Sequence, residues 1–214
     1  MKIAGVDEAG KGPVIGPMIV AGVMVEEDML PMLERMGVRD SKAISPKKRE
    51  FLASKIREVG ICYTFEVSSS EIDALRKRIT MNEIIVESYV KVLKQLKPDK
   101  AFLDAADVKA DRFAKNVQDG YDKSIKIVSE HNADVKYPIV SAASIIAKVR
   151  RDETVRELEL LLEKNIGSGY PSDIRTRCFL DDWIQEHHSL PSFVRHSWKT
   201  AENALKRHEQ SRIF

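Results

Sequence analysis

Hydrophobic positions in this chain follow two rhythms, unbroken runs of strand length and faces that recur every three or four residues. The two alternate. Lys2 to Val6 is a short apolar run, and Val14 to Val25 is β-branched and apolar, with Pro17 confining the second strand to about Met18 to Val25. Ile61 to Val67 alternates as a strand does, Ala101-Phe102-Leu103 is a short buried strand, and Ser124 to Ser129 reads as the last. Between them lie helices. Ser45 to Glu58 carries Pro46 at a first helical position, and Ser68 with Glu71 forms a capping box opening a helix through Arg76. From Met81 the set Ile85, Tyr89, Val92 and Leu96 keeps one face and stops before Pro98. Val140 to Val149 is helical and rich in small residues, so it can approach a sheet closely. Two more helices are predicted at about Asp173 to Glu186 and Val194 to His208, the latter with Val194, Trp198, Ala201 and Leu205 aligned. This is the order of an α/β protein.

Length and composition narrow the class. The 214 residues suffice for one domain, or for one domain with a small helical extension, without internal repeats or low-complexity linkers. No apolar run reaches membrane-spanning length and Met1-Lys2 opens directly into a strand, so a cytoplasmic protein with no membrane segment is expected. Cys62 and Cys178 lie far apart without a partner motif and read as reduced core residues, not as a disulfide or a zinc site. With 35 Lys+Arg against 33 Asp+Glu, the net charge of +2 excludes a histone-like binder but allows a local basic face.

The chemistry begins at Asp7-Glu8-Ala9-Gly10-Lys11-Gly12. Two adjacent carboxylates where a buried strand emerges repel each other, and a divalent cation would keep both deprotonated. A plain polar turn is the alternative. Gly5 to Lys11 also fits the first seven positions of the phosphate loop GxxxxGK[ST]. Gly12 lacks the required hydroxyl, however, and strand residues follow where a helix should start. A hairpin with a flexible, anion-facing tip is expected instead. Asp104 and Asp134 also stand at or just past strand ends, although each alone reads as an N-cap. If those strands are neighbours, Asp7, Glu8, Asp104 and Asp134 converge. Four hard oxygen donors suit Mg2+ or Mn2+, in a pair about 4 Å apart that promotes in-line displacement at phosphorus.

A set of longer motifs now carries a family resemblance. Besides the first loop they are Asp40-Ser41-Lys42, Thr80-Met81-Asn82-Glu83, Leu103-Asp104, Glu130-His131-Asn132-Ala133-Asp134 through Tyr137-Pro138, Ser141 to Lys148, and Gly167-Ser168-Gly169-Tyr170. Collinear over about residues 1 to 200, they resemble ribonuclease HII, the type 2 ribonuclease H. The resemblance implies a ribonuclease H-like fold: a five-stranded mixed sheet flanked by helices, catalytic over residues 1–165, with a helical extension over 166–214. It implies metal-dependent cleavage of the RNA strand of RNA/DNA hybrids and cleavage 5′ of ribonucleotides embedded in duplex DNA, leaving 3′-hydroxyl and 5′-phosphate ends. By position Asp7, Glu8, Asp104 and Asp134 would be the catalytic metal ligands. Gly10, Lys11, Gly12 and Tyr170 would recognise the ribonucleotide at an RNA/DNA junction. Lys11 stands where many bacterial members have arginine, which resembles the archaeal branch.

The physics suits these roles. Glycines admit a ribose edge, and the 2′-hydroxyl is what separates RNA from DNA. Tyr170 could stack on the neighbouring deoxyribose or simply pack after its Gly-Ser-Gly turn. Lys42 and Lys148 are candidate phosphate contacts, with Asn82 and Ser144 as polar support near the nucleic-acid backbone, and each also reads as a surface residue. His131 could shuttle protons or cap, whereas His187-His188 suits a helix end. The tail Gln210-Ser211-Arg212-Ile213-Phe214 resembles a shortened sliding-clamp-binding peptide lacking the usual paired aromatic, and also reads as a frayed end. A monomer is expected. Two rival classes remain: a hybrid-binding module, which has no use for four strand-end acids, and a DNA-directed nuclease, which has none for a 2′-hydroxyl reader.

Overall fold

The computed structural model describes residues 1–38 and 44–211, the side chain of Ser211 excepted. In chain order the elements are β1 (Lys2–Ala9), β2 (Met18–Glu26), α1 (Leu30–Arg35), α2 (Pro46–Val59), β3 (Ile61–Val67), α3 (Ser69–Leu75) and α4 (Met81–Leu96). There follow β4 (Lys100–Asp104), α5 (Ala110–Gly120), β5 (Lys126–Glu130), α6 (Ala133–Lys136), α7 (Pro138–Leu162), α8 (Ile174–His187) and α9 (Lys199–Ser211). The sheet has five strands in the order β3-β2-β1-β4-β5. β1 runs antiparallel to β2, while β1 with β4 and β4 with β5 are parallel, which makes the sheet mixed. Among the described residues no helix is long and apolar enough to cross a membrane.

The chain divides into two compact units. The first comprises Met1–Ala9, Ile19–Glu66 and Met81–Arg150; the second comprises Gly10–Met18, Val67–Thr80 and Arg151–Phe214. The division expected at 165/166 falls inside the second unit.

In the first unit, two glycines fix how helices approach the sheet. Gly5 pairs with Val23, and Gly22 pairs with Val6, so the pleat turns Gly5 and Gly22 to opposite faces. A Cβ on Gly5 would lie 2.3 Å from the carbonyl oxygen of Ile139, and one on Gly22 would lie 2.5 Å from Val92. The start of α7 therefore rests on one face of β1, and α4 covers the other. Small residues Ala142, Ala143 and Ala147 continue the close approach of α7, beside Ile19, Val23, Ile56 and Ile145. The sequence placed this helix over Val140 to Val149, and it runs further because no Gly or Pro interrupts it before Leu162.

The second unit has its own core. Val14, Ile15, Phe179, Leu180, Ile184, Val194, Ala201 and Ala204 are buried together there. Ser68 and Glu71 make the expected capping box before α3. The final helix begins at Lys199 and not at Val194, because residues 194–198 are used in loop contacts. Three α-helices were not foreseen: the short α1 and α6, and the amphipathic α5, whose Phe113 and Val117 are buried. Cys62 and Cys178 are free, but Cys178 is exposed and not a core residue, since α8 turns it to solvent. Cys62 is half-buried, and burial pushes its thiol up to about 11, which keeps it protonated and inert.

Candidate active site

The acids collect at one end of two neighbouring strands. β4 pairs with β1 up to Val6 and Leu103, and the next step of that register sets Asp104 beside Asp7. Both acids were expected at or just past strand ends. Asp104 is the last residue of β4, but Asp7 and Glu8 lie within β1, which continues to Ala9 along β2. Alternation along β1 then sends the two adjacent carboxylates to opposite faces. Asp7 shares the face of Gly5 and α7, and its carboxylate is hydrogen-bonded by the Ser144 hydroxyl and by the Glu8 amide at 2.7 Å. Glu8 shares the face of α4, where the Tyr89 hydroxyl donates to its Oε2. Tyr89 also donates to the Asp104 carbonyl at 3.3 Å, and Phe113 meets its ring edge-on at 5.1 Å.

Asp134 arrives by a separate route. Asn132 adopts a left-handed conformation, φ 56°, which asparagine tolerates better than most residues, and starts α6. The first amide of that helix, Ala133 N–H, donates to Asp104 Oδ1 at 2.7 Å. Asp104 thus does cap a helix, but one 29 residues on, and this contact ties α6, with the buried Asp134, to the end of β4. Asp134 itself lies inside α6 and is not its cap.

Electrostatics mark the cluster. Asp7 is only 5% exposed, and burial, with Glu8 and Asp104 nearby, raises its carboxyl well above the usual range despite its two hydrogen bonds. Burial and the same three acids push the Tyr89 phenol up as well, so it remains a donor to Glu8. Among the described residues, no three His, Cys, Asp or Glu side chains already grip one point closely enough to hold an ion.

The junction-reading candidates form their own cluster in the second unit. Gly10 has φ +88°, a left-handed backbone, and a Cβ there would lie 2.6 Å from the Pro17 carbonyl oxygen. The Val14 and Ile15 amides both donate to the Gly169 carbonyl, at 2.8 and 3.2 Å, which ties the loop to the turn before Tyr170. A Cβ on Gly12 would sit 3.7 Å from the Tyr170 ring. The ring is 40% exposed, with the Arg151 guanidinium 5.1 Å from its centroid and donating to the Ser168 carbonyl at 2.7 Å. Asp173 caps α8 and accepts from the Ser168 amide at 2.8 Å. The Arg175 guanidinium, then that amide, hold its carboxyl well below the usual range. The hairpin expected to have a flexible tip is thus tied to that turn through Val14 and Ile15.

Other candidates land in mixed places. Asn82 opens α4 and Lys148 lies on α7, both half-buried and both with partners. Ser144, expected beside the nucleic-acid backbone, is fully buried and supports Asp7 instead. Exposed His131 places Nε2 3.1 Å from the Val108 carbonyl, and His188 ends α8 as expected. Lys42, Ile213 and Phe214 lie outside the described residues. Sequence reasoning missed Tyr89, which it places only on the apolar face of α4, and Arg195, which lies unremarked inside the stretch predicted as the last helix.

Residues 4–201 match the family described as Ribonuclease HII. The chain belongs to that family. The Ribonuclease HII of Methanosarcina mazei is 56% identical over 212 residues, covering 95% of this chain and 96% of that one. The crystal structure of ribonuclease H2 from Pyrococcus horikoshii OT3 superposes with TM-score 0.92 at 41% identity, over 98% of this chain and 100% of that one. A structure of the PCNA:RNase HII complex from Archaeoglobus fulgidus superposes at 0.87 with 42% identity, over 93% and 96% of the two chains. The protein is thus a ribonuclease HII of the archaeal type, a ribonuclease H and an endonuclease, on the mixed five-stranded fold that the resemblance implied.

Proposed function

We propose that the protein cleaves the RNA strand of RNA/DNA hybrids and cuts on the 5′ side of ribonucleotides embedded in duplex DNA, using a divalent cation and leaving 3′-hydroxyl and 5′-phosphate ends. The observation that carries this reading is Asp7 buried within the field of Glu8 and Asp104, a charge arrangement that costs stability unless a cation joins it. Its donors are hard oxygens, which suit Mg2+ or Mn2+. Asp7, Glu8, Asp104 and Asp134 would hold the ions, for which one or two carboxylates apiece suffice when substrate phosphate completes the shell. When bound, such ions would polarise the phosphate and activate a water for attack on it.

The chain's own residues do the positioning. Ser144 and Tyr89 fix the two carboxylates of β1 on opposite faces. The Gly10-Lys11-Gly12 loop and Tyr170 offer backbone and a ring to a ribose edge and the sugar beside it, and Lys148 offers charge to a phosphate. The deciding assay is incubation of a duplex bearing one ribonucleotide, with and without magnesium. Magnesium-dependent cutting on the 5′ side is expected, and an intact duplex would refute the reading. We also infer a sliding-clamp partner, reached through Gln210, Ile213 and Phe214; support comes from the complex named for the Archaeoglobus fulgidus relative.

Tyr170→Ala is expected to slow cutting at a lone ribonucleotide more than cutting of a uniform hybrid. Stacking on a base is worth about 1–3 kcal/mol, and a sugar contact lies at or below the low end, so about fivefold is expected at the junction. A hybrid offers many registers that offset the loss. Parallel single-turnover rates decide it, and equal losses would remove Tyr170 from junction reading.

Lys148→Ala should weaken hybrid binding without moving the cut, because phosphate contacts position but do not specify. The slope of log affinity against log salt should shrink by about one unit for a full contact. Titrations across a salt series in calcium measure it. An unchanged slope would make Lys148 a structural lysine.

A further inference from the structure

The largest fully buried side chain of the described residues is a cation. Arg195 has no exposed surface, and its guanidinium is spent on backbone carbonyls. Nη2 donates to Gly10 O at 2.6 Å, Nη1 to Lys11 O at 2.9 Å, and Nε and Nη2 to Gly16 O at 3.2 and 2.9 Å. The next carbonyl is taken as well, because the Trp198 indole donates to Gly12 O at 3.2 Å, with the Arg195 guanidinium 4.9 Å from its ring. Three consecutive carbonyls are thereby held by these two side chains, two of them by the one guanidinium. In a planar trans peptide, C=O and the following N–H point opposite ways, so the Lys11 and Gly12 amides are turned away from the guanidinium. Successive amides presented together make a concavity for an electronegative group.

The holding segment is itself held. Asp73 of α3 accepts from the His196 and Ser197 amides at 2.6 and 3.0 Å and from the Ser197 hydroxyl at 2.6 Å. Burying a guanidinium this way is costly, and a core of the same volume could be filled with apolar groups. A planar fork reaching several carbonyls at once is what arginine offers and lysine does not.

We propose that Arg195 and Trp198 are positioning residues that set the shape of the Gly10-Lys11-Gly12 loop, and through it the preference for a ribonucleotide flanked by DNA. The inference rests on the junction-reading role given to that loop above. Neither side chain touches substrate; they fix the amides that do.

The test uses the full chain, with Trp198→Phe and Arg195→Lys, and single-turnover rates on a lone-ribonucleotide duplex and a uniform hybrid. Trp198→Phe keeps an aromatic ring and deletes one hydrogen bond, so the lone-ribonucleotide to hybrid rate ratio should fall about two- to tenfold. Arg195→Lys loses several, and the ratio should fall more than tenfold. The loss should appear in the rate at saturating enzyme more than in the half-saturating concentration, because a misplaced loop still binds. Thermal unfolding of both variants accompanies the rates. A role confined to stability would lower the melting temperature and slow both substrates by one factor, which overturns the proposal, as does an unchanged ratio. Should Arg195→Lys fail to fold, Trp198→Phe alone decides. An unmodified protein that spares the lone ribonucleotide would instead overturn the junction reading and the inference with it.

Discussion

Asp7→Asn is expected to lower the cleavage rate about a thousandfold or more, while the protein stays as stable as before or becomes more so. The kinetic part follows from the several kcal/mol that ions held by such carboxylates supply to a phosphoryl transition state, at about 1.4 kcal/mol per factor of ten. The stability part follows from charge. Burial, then Glu8 and Asp104, raise the Asp7 carboxyl, so the folded protein binds this proton more tightly than the unfolded chain does. A raised carboxyl makes stability fall as pH climbs from the ordinary aspartate range through the raised value. Above that window an ionised Asp7 is a net cost. Asparagine removes the cost and keeps an oxygen that can accept from the Glu8 amide and the Ser144 hydroxyl. Melting curves at several pH values check this: the variant's advantage should widen with rising pH and narrow when magnesium is added to the unmodified protein. A substituted protein that still cuts at near-normal rate would sink the metal assignment.

The strands were legible in the sequence, because buried strands announce themselves as apolar runs, and the acids were legible as candidates, although Asp7-Glu8 also suits a polar turn and Asp104 and Asp134 each read alone as N-caps. The adjacency of Asp7 and Asp104 was only conditional on β1 and β4 being neighbours, which the parallel pairing of those strands supplies. What holds the acids was not legible. Tyr89 fits the apolar face of α4, and nothing local says that its hydroxyl reaches a glutamate 81 residues away. Ser144 belongs to a stripe of small residues whose composition speaks only of close packing. Arg195 shows most clearly where pattern fails: Val194, Trp198, Ala201 and Leu205 fit one helical face, yet residues 194–198 form a loop. Long-range hydrogen bonds to backbone carry no sequence period, so a buried arginine held by carbonyls looks like any surface arginine. The amphipathic α5 was missed for a simpler reason, its polar face outweighing Phe113 and Val117.

Gly5→Ala is expected to destabilise the protein severely, and the cause is a close approach that no side chain can relieve. The new Cβ would stand 2.3 Å from Ile139 O, 2.4 Å from Ile139 C and 2.6 Å from Val140 N, all backbone atoms of the first turn of α7. Flexible side chains can step aside from one methyl; a helix start cannot. Overpacking a well-filled core costs about 1–3 kcal/mol, and a clash with backbone belongs at the upper end or beyond. For a chain of this size the melting temperature should then fall by about 6–12 °C. Activity should fall with it at temperatures where the variant remains folded, because Ser144 rides on the same helix and would be carried away from Asp7. Calorimetry together with cleavage rates well below the transition separates the two effects. The result also tells apart two meanings of this glycine. As the opening residue of a nucleotide-binding loop, Gly5 would accept a methyl with little change in melting. As the floor on which α7 rests it cannot, and an unchanged melting temperature would mean that α7 does not pack against β1 as described.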